Sequence, residues 1–183
     1  LGLVGSEMCI RDSVIKEALG IKDKIGEKSI KDSEVHNKII SPENVVFTPG
    51  AKPIMFFTIM ALIEPGDEVI YPNPGFPIYE SMINYVGGKA IPMELKEERD
   101  FNADVDLIEE SITDKTKLII LNSPNNPSGS NCKNFEEIAN IAKKYKIIIL
   151  SDEIYTELTF DREYKSISKY YPEGTIISSG LSK

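Results

Sequence analysis

Five short segments of the sequence carry residue types that can do chemistry, and each one follows an apolar stretch. They are residues 48–52 (TPGAK), 74–77 (PGFP), 122–129 (NSPNNPSG), 151–155 (SDEIY) and 178–183 (SSGLSK). Together they offer an amine, a carboxylate, a phenol, side-chain amides, a rigidly held aromatic ring and backbone N–H groups at the start of a helix. Taken alone, each has a plain structural reading as a helix-entry turn, a core aromatic, a long turn or a surface lysine.

The segments are placed by strands that alternate with helices. Apolar runs at 117–121 (KLIIL) and 146–151 (KIIILS) predict buried strands, and shorter strands are predicted at 45–48, 68–71, 89–93 and 175–178. Helices are predicted at 51–63, 77–85 and 104–112, and the stripe of Phe135, Ile138, Ile141 and Ala142 predicts a fourth. Strands apolar on both faces, alternating with helices, indicate an α/β fold with a mostly parallel sheet covered on both faces. Such sheets bind ligands beyond the carboxyl ends of their strands, where the five segments fall.

Composition restricts the function further. The 183 residues correspond to about one domain, and the net charge of -8 argues against a nucleic-acid partner. No apolar run is long enough to span a bilayer. Cys9 and Cys132 have no metal-ligand spacing and make no disulfide framework, so a cytoplasmic location is expected and no metal site. The single histidine, His36, lies in a polar stretch, which argues against catalysis that needs a histidine.

The two ends of the sequence suggest the domain boundaries. Residues 1–13 (LGLVGSEMCIRDS) resemble translated sequencing adapter, so we interpret them as foreign and leave them out of the predicted fold. Residues 14–40 are interpreted as a poorly defined N-terminal segment with one short helix, and residues 41–183 as the functional domain. The sequence stops at Lys183, directly after a predicted strand, so we expect it to be a fragment.

The motifs in their order resemble one family. PNNPSG, SDEIY and the terminal SGLSK, supported by TPGAK, PGDEV and PGFPIY, resemble the class I/II aminotransferases, which are fold-type I enzymes dependent on pyridoxal phosphate. The resemblance covers residues 41–183 and implies the large, cofactor-binding domain of such an enzyme, incomplete at its C-terminus.

The resemblance assigns the catalytic residues. Lys183 corresponds to the Schiff-base lysine, whose amine attacks the coenzyme carbonyl and later moves the substrate's α-proton. Asp152 matches the carboxylate that keeps the pyridine nitrogen protonated, so that the ring accepts electrons. Tyr155 and Asn126 match the donors to the phenolate oxygen of the ring.

It also assigns the remaining cofactor contacts. Phe76 matches the aromatic side chain that stacks on the coenzyme ring. Gly50, Ala51 and Lys52 match the turn that cradles the phosphate, where backbone N–H groups meet the positive end of the helix dipole.

The sequence also departs from the family pattern. Many relatives carry a phosphate-binding serine three residues before the lysine, where this sequence has Gly180; Ser179 or Ser182 supplies a hydroxyl instead, or none does. The arginine that clamps the substrate carboxylate and the small domain would both follow Lys183. The partner-subunit tyrosine is also missing, because no tyrosine precedes Tyr71.

The implied function is transfer of an amino group between an L-amino acid and a 2-oxo acid, by a homodimer in amino-acid metabolism. We expect the fragment itself to be inactive. Alternatives are a C–S lyase of the same fold and cofactor, or a truncated piece that binds nothing well. A nucleotide-binding domain is disfavoured because neither GxGxxG nor GxxxxGK[ST] follows a strand.

Overall fold

The computed structural model describes residues 2–5, 44–160 and 164–180 of the chain, and the first of these ranges by its backbone alone. The predicted segment at 14–40 therefore lies outside the described residues, as do Cys9, His36, Ser182 and Lys183.

Strands and helices alternate along most of the described chain. The strands are β1 Gly2–Gly5, β2 Val45–Thr48, β3 Glu68–Asn73, β4 Lys89–Glu94, β5 Thr116–Asn122, β6 Ile148–Asp152 and β7 Thr175–Gly180. The α-helices are α1 Lys52–Leu62, α2 Ile78–Tyr85, α3 Val105–Glu110 and α4 Phe135–Tyr145. Single 3₁₀ turns lie at Glu97–Arg99, Thr156–Leu158, Ile167–Lys169 and Pro172–Gly174.

The seven strands form one sheet in the order β2-β1-β7-β6-β5-β3-β4. Every pair of neighbours is parallel. The prediction of a parallel sheet is confirmed. All seven carboxyl ends consequently meet at one edge, and the loops that follow β2, β3, β5 and β6 are brought together there.

Helices cover both faces of the sheet, as predicted. On one face α1 and α2 contribute Met55, Ile59 and Ile83 to a buried cluster that packs on Leu118 and Leu150 of the central strands. On the other face, α3 and α4 contribute a second buried cluster, of which the members from these helices are Ile108, Phe135, Ile138, Ala139 and Ala142. The side chains of β5 alternate between the two clusters, which explains why the KLIIL run is apolar throughout.

Within the described residues, the predicted strands and helices are confirmed, with shifts at some ends. Strand β3 continues to Asn73, where the sequence predicted a loop from residue 72. The helix predicted at 104–112 is shorter, because the Asp104 side chain caps it and Ser111 ends it. Strand β6 begins at Ile148 rather than at Lys146, because Lys146 takes a left-handed conformation at the end of α4.

One strand was not predicted. Gly2–Gly5 lies between β2 and β7 as a parallel strand, although residues 1–13 were left out of the predicted fold. The interpretation of residues 1–13 as foreign stays a prediction, because strand pairing uses backbone N–H and C=O groups that a segment of any origin carries. Among the helices of the described residues, none is long and apolar enough to cross a membrane.

Candidate active site

A cavity of about 420 Å³ opens at the carboxyl edge of the sheet, on the α1 and α2 face. Seven of the nine side chains and turns that the sequence singled out line it: Gly50, Ala51, Lys52, Phe76, Asn126, Asp152 and Tyr155. The other two, Ser182 and Lys183, lie outside the described residues. The cavity thus gathers loops from Gly50 to Tyr155, which are far apart in the sequence.

One wall is the turn between β2 and α1. The Thr48 hydroxyl donates to the Gly50 carbonyl at 2.6 Å, and the Gly50 N–H donates back to the Thr48 carbonyl at 2.8 Å. Gly50 has a φ of +90°, which favours glycine. Helix α1 begins with no side-chain cap, and the N–H groups of Ala51 and Lys52 donate to no described residue. These two N–H groups, rather than that of Gly50, remain available for an anion.

A second wall is the aromatic ring of Phe76. The loop before it is tight, because a side chain at Gly75 would collide with the Pro72 carbonyl oxygen. The Phe76 ring meets the Tyr79 ring edge-on at a centroid separation of 5.9 Å. The Lys52 ammonium lies 5.9 Å from the Phe76 centroid on the cavity side. The ring is therefore held by neighbours on two elements.

The segment after β5 places an amide in the cavity. The Asn122 side chain connects two strand ends: its Nδ2 donates to the Asp152 carbonyl at 3.1 Å, and its Oδ1 accepts from the Asn126 N–H at 2.7 Å. Asn125 folds the same loop by accepting from the N–H and the hydroxyl of Ser128. The Asn126 side chain has no hydrogen-bond partner among the described residues, so it can donate to a ligand.

The floor of the cavity is Asp152, the last residue of β6, and its side chain is only 2% exposed. Burial raises the pKa of this carboxyl to about 6, although hydrogen bonds from Tyr79 and from the Ile154 N–H act to lower it. The Tyr79 hydroxyl donates to Asp152 Oδ2 at 2.6 Å. Burial, followed by the Asp152 charge, raises the pKa of Tyr79 well above its ordinary value, so Tyr79 stays a proton donor.

A second buried carboxylate, that of Glu153, holds the end of β6 through contacts outside the cavity. It accepts hydrogen bonds from the hydroxyls of Ser151 at 2.8 Å and Ser166 at 2.6 Å. Its N–H donates to the Ser178 carbonyl of the neighbouring strand at 2.7 Å. Glu153 does not line the cavity, so its contacts fix the backbone that carries Asp152 without adding charge to the cavity wall.

Sequence reasoning gave no role to several residues of this site, among them Tyr79, Asn122 and Met55. Tyr79 was quoted within the motif PGFPIY and as part of a predicted helix, but it was given no role. Asn122 was quoted within its motif but given no role. Met55, one turn into α1, lines the cavity and carried no signal beyond its apolar character. In the part of the chain described, no cluster of three or more His, Cys, Asp or Glu side chains could hold a metal ion.

Comparison with known proteins agrees with this geometry. The family model described as aminotransferase class I and II matches residues 27–183. A probable aspartate aminotransferase of Methanocaldococcus jannaschii is 38% identical over 166 residues, which are 90% of this chain and 44% of the relative.

Solved structures give the same result. The alanine aminotransferase of Pyrococcus furiosus superposes with a TM-score of 0.83 at 34% identity, over 87% of this chain and 41% of that one. The aspartate aminotransferase of Thermus thermophilus with maleate gives 0.82 at 32% identity, over 85% and 41%.

The chain therefore belongs to the class I and II aminotransferase family. It spans about two fifths of the length of curated relatives that it matches.

Proposed function

We propose that this chain is the cofactor-binding part of a pyridoxal-phosphate-dependent aminotransferase, and that the whole protein transfers an amino group between an L-amino acid and a 2-oxo acid. One observation carries the proposal. A buried carboxylate, a stacked aromatic ring, a free side-chain amide and two free backbone N–H groups line a single cavity at the carboxyl edge of the sheet.

The residues present fit the coenzyme. The N–H groups of Ala51 and Lys52 lie at the positive end of α1, which suits a phosphate. The Asp152 carboxylate has no ion-pair partner among the described residues, so a protonated ring nitrogen would supply the missing positive charge. Asn126 and Tyr155 line the cavity and offer donors of the kind that a phenolate oxygen accepts.

Pyridoxal phosphate, when bound, supplies an electron sink for the electron pair left when the substrate loses its α-proton. The chain's own residues would hold and tune it. Asp152 would keep a proton on the ring nitrogen, and Phe76 would fix the plane of the ring. Lys183 would take up the proton from the substrate's α-carbon on its Nζ and later return it, because a free, neutral amine is a suitable general base.

A labelling experiment tests the proposal on the chain itself. We expect pyridoxal phosphate added to the 183-residue chain to be fixed by borohydride on Lys183, identified by peptide mass mapping. Lys183→Ala should lose the label, whereas Lys146→Ala, a substitution at the end of α4 away from the cavity, should keep it. Label on Lys52, whose side chain lines the cavity, would contradict the assignment.

A C–S lyase of the same fold and cofactor is the second candidate that the cavity allows, because both reactions begin with loss of the α-proton. The whole protein should convert a 2-oxo acid into the matching amino acid if it is an aminotransferase. Release of a thiol and ammonia from a thioether amino acid, without consumption of a 2-oxo acid, would identify the lyase.

A homodimer is proposed for the whole protein, with amino-acid and 2-oxo-acid substrates, a cytoplasmic location and a role in amino-acid metabolism. The outer side of α1 and α2 supports the dimer. Phe57, Met60 and Tyr85 are 56%, 53% and 75% exposed there, and Phe56 links the rings of Phe57 and Tyr85. An apolar patch of this kind suits a second copy of the chain. Sedimentation analysis would contradict the dimer by showing a monomer throughout the micromolar range.

A further inference from the structure

The hydrogen bond between Tyr79 and Asp152 is the shortest described contact to the cavity floor. Both residues are buried: Tyr79 has no exposed surface, and Asp152 is 2% exposed. The Tyr79 hydroxyl donates to Oδ2 at 2.6 Å, and the only other side-chain contact described for this carboxylate is the Ile154 N–H on Oδ1 at 3.4 Å. Tyr79 therefore provides the stronger of the two hydrogen bonds that stabilise the ionised form.

We infer that Tyr79 is a positioning residue, which keeps the Asp152 carboxylate ionised and oriented for the ring nitrogen of the coenzyme. The inference rests on the proposed function only for the identity of that ligand. The contact joins α2 to the end of β6, so it also fixes the carboxylate relative to Phe76, one helical turn before Tyr79. A substitution at Tyr79 would thus act on the coenzyme without touching it.

The surroundings of Asp152 make this role necessary. The titratable groups described around it are three tyrosines, Tyr79, Tyr155 and Tyr164, and the Lys52 ammonium, which lines the same cavity next to Phe76. No lysine or arginine of the described residues forms an ion pair with it. Burial disfavours the charged carboxylate, so without a cation the ionised form depends on hydrogen bonds. With a pKa of about 6, Asp152 is ionised by about ten to one at neutral pH, a margin that one lost hydrogen bond can remove.

A titration of the coenzyme-free chain tests the inference directly. Aspartate carrying ¹³C at its carboxyl carbon reports the ionisation of Asp152 by NMR, with Asp152→Asn to assign the signal. We expect Tyr79→Phe to raise the midpoint of the Asp152 titration by about one to two pH units, because the carboxylate loses its shorter hydrogen bond. Tyr85→Phe, on the same helix but exposed, should leave it unchanged. An unchanged midpoint in folded Tyr79→Phe would overturn the inference.

A second variant separates the effect of the hydrogen bond from any effect of altered packing. Replacement of Tyr79 by 3-fluorotyrosine keeps the ring and makes the phenol a stronger donor, so it should lower the Asp152 midpoint. A rise in the midpoint, or none, would count against the inference even if Tyr79→Phe does not fold.

Coenzyme affinity gives the second readout. Equilibrium dialysis should show a loss of pyridoxal phosphate affinity in Tyr79→Phe of about two- to tenfold at pH 7 and little loss at pH 9, where Asp152 is ionised in both proteins. An equal loss at both values would indicate a purely structural role and overturn the inference. No binding to the unsubstituted chain would instead contradict the proposed function and leave the NMR result standing on its own.

Discussion

Replacement of Asp152 by asparagine should stabilise the coenzyme-free chain at neutral pH. The carboxylate is charged, almost fully buried and without an ion pair among the described residues, so the folded protein holds it at an energetic cost. Asparagine has the same shape and no charge. Its amide oxygen can still accept from the Ile154 N–H, and its NH₂ group can donate to the Tyr79 hydroxyl, which then rotates to accept.

The magnitude follows from the pKa of Asp152. Burial raises that pKa from 3.8 to about 6, and each unit corresponds to about 1.36 kcal/mol, so ionised Asp152 costs about 3 kcal/mol. Between pH 4 and 6 the folded chain binds this proton more tightly than the unfolded chain does. The free energy of unfolding therefore falls as pH rises through that window and stays reduced above it. A loss of this size is large against the total stability of a domain.

Urea unfolding of both proteins between pH 3.5 and 8 measures the effect. We expect the two free energies of unfolding to agree near pH 4 and to diverge by up to about 3 kcal/mol above pH 6, with Asp152→Asn the more stable. Asp100→Asn is the matched control, because the Asp100 side chain is 80% exposed and its left-handed backbone suits asparagine. This variant should not gain unfolding free energy relative to the unsubstituted chain above pH 6. Equal or lower stability of Asp152→Asn at every pH would refute the reasoning.

Two further predictions concern the buried Glu68 and the relative importance of two cavity side chains. Thr113 and Lys89 donate hydrogen bonds to the buried Glu68 and lower its pKa. Glu68→Gln should therefore reduce the free energy of unfolding by about 1–2 kcal/mol at pH 7, and by nothing once the pH falls below the pKa of Glu68 in the folded chain. Urea unfolding at pH 7 and pH 2 measures both values, and an equal difference at the two pH values would contradict the prediction. Phe76→Leu should weaken pyridoxal phosphate binding by about 0.5–1.5 kcal/mol, the size of an aromatic contact. Asp152→Ala should weaken it by much more. Equal losses of affinity for the two variants in equilibrium dialysis would contradict this ranking.

The parallel sheet and its two layers of helices could be predicted, because their physical cause is visible in the sequence; the order of the strands was not predicted. The runs KLIIL and KIIILS are apolar on both faces, and only a strand covered by helices on both sides can bury them. The ends of elements were less accurate, because they depend on local events such as the left-handed Lys146 and the capping by Asp104. Strand β1 was not predicted, because residues 1–13 show no useful period and were left out of the predicted fold.

The candidate site divides in the same way. Asp152, Asn126 and Phe76 were singled out because they lie in short motifs that resemble those of a known family. Tyr79 and Asn122 were not, because their importance lies in contacts to residues 73 and 30 positions away in the sequence. A long-range hydrogen bond has no local signature, so the residues that orient a site are harder to predict than those that form it.

The stability cost at Asp152 and the proposed function support each other. A strand end with a buried, ionised carboxylate and no described cation is a poor choice for stability alone, since an apolar or amide side chain would serve better. The chain instead adds hydrogen bonds to that carboxylate from Tyr79 and Ile154, which favour the charged form that burial opposes. Such an arrangement is expected where a ligand brings the compensating positive charge, because the cost is then recovered on binding. The same carboxylate should therefore weaken the coenzyme-free chain and strengthen the complex, so that Asp152→Asn moves the two stabilities in opposite directions.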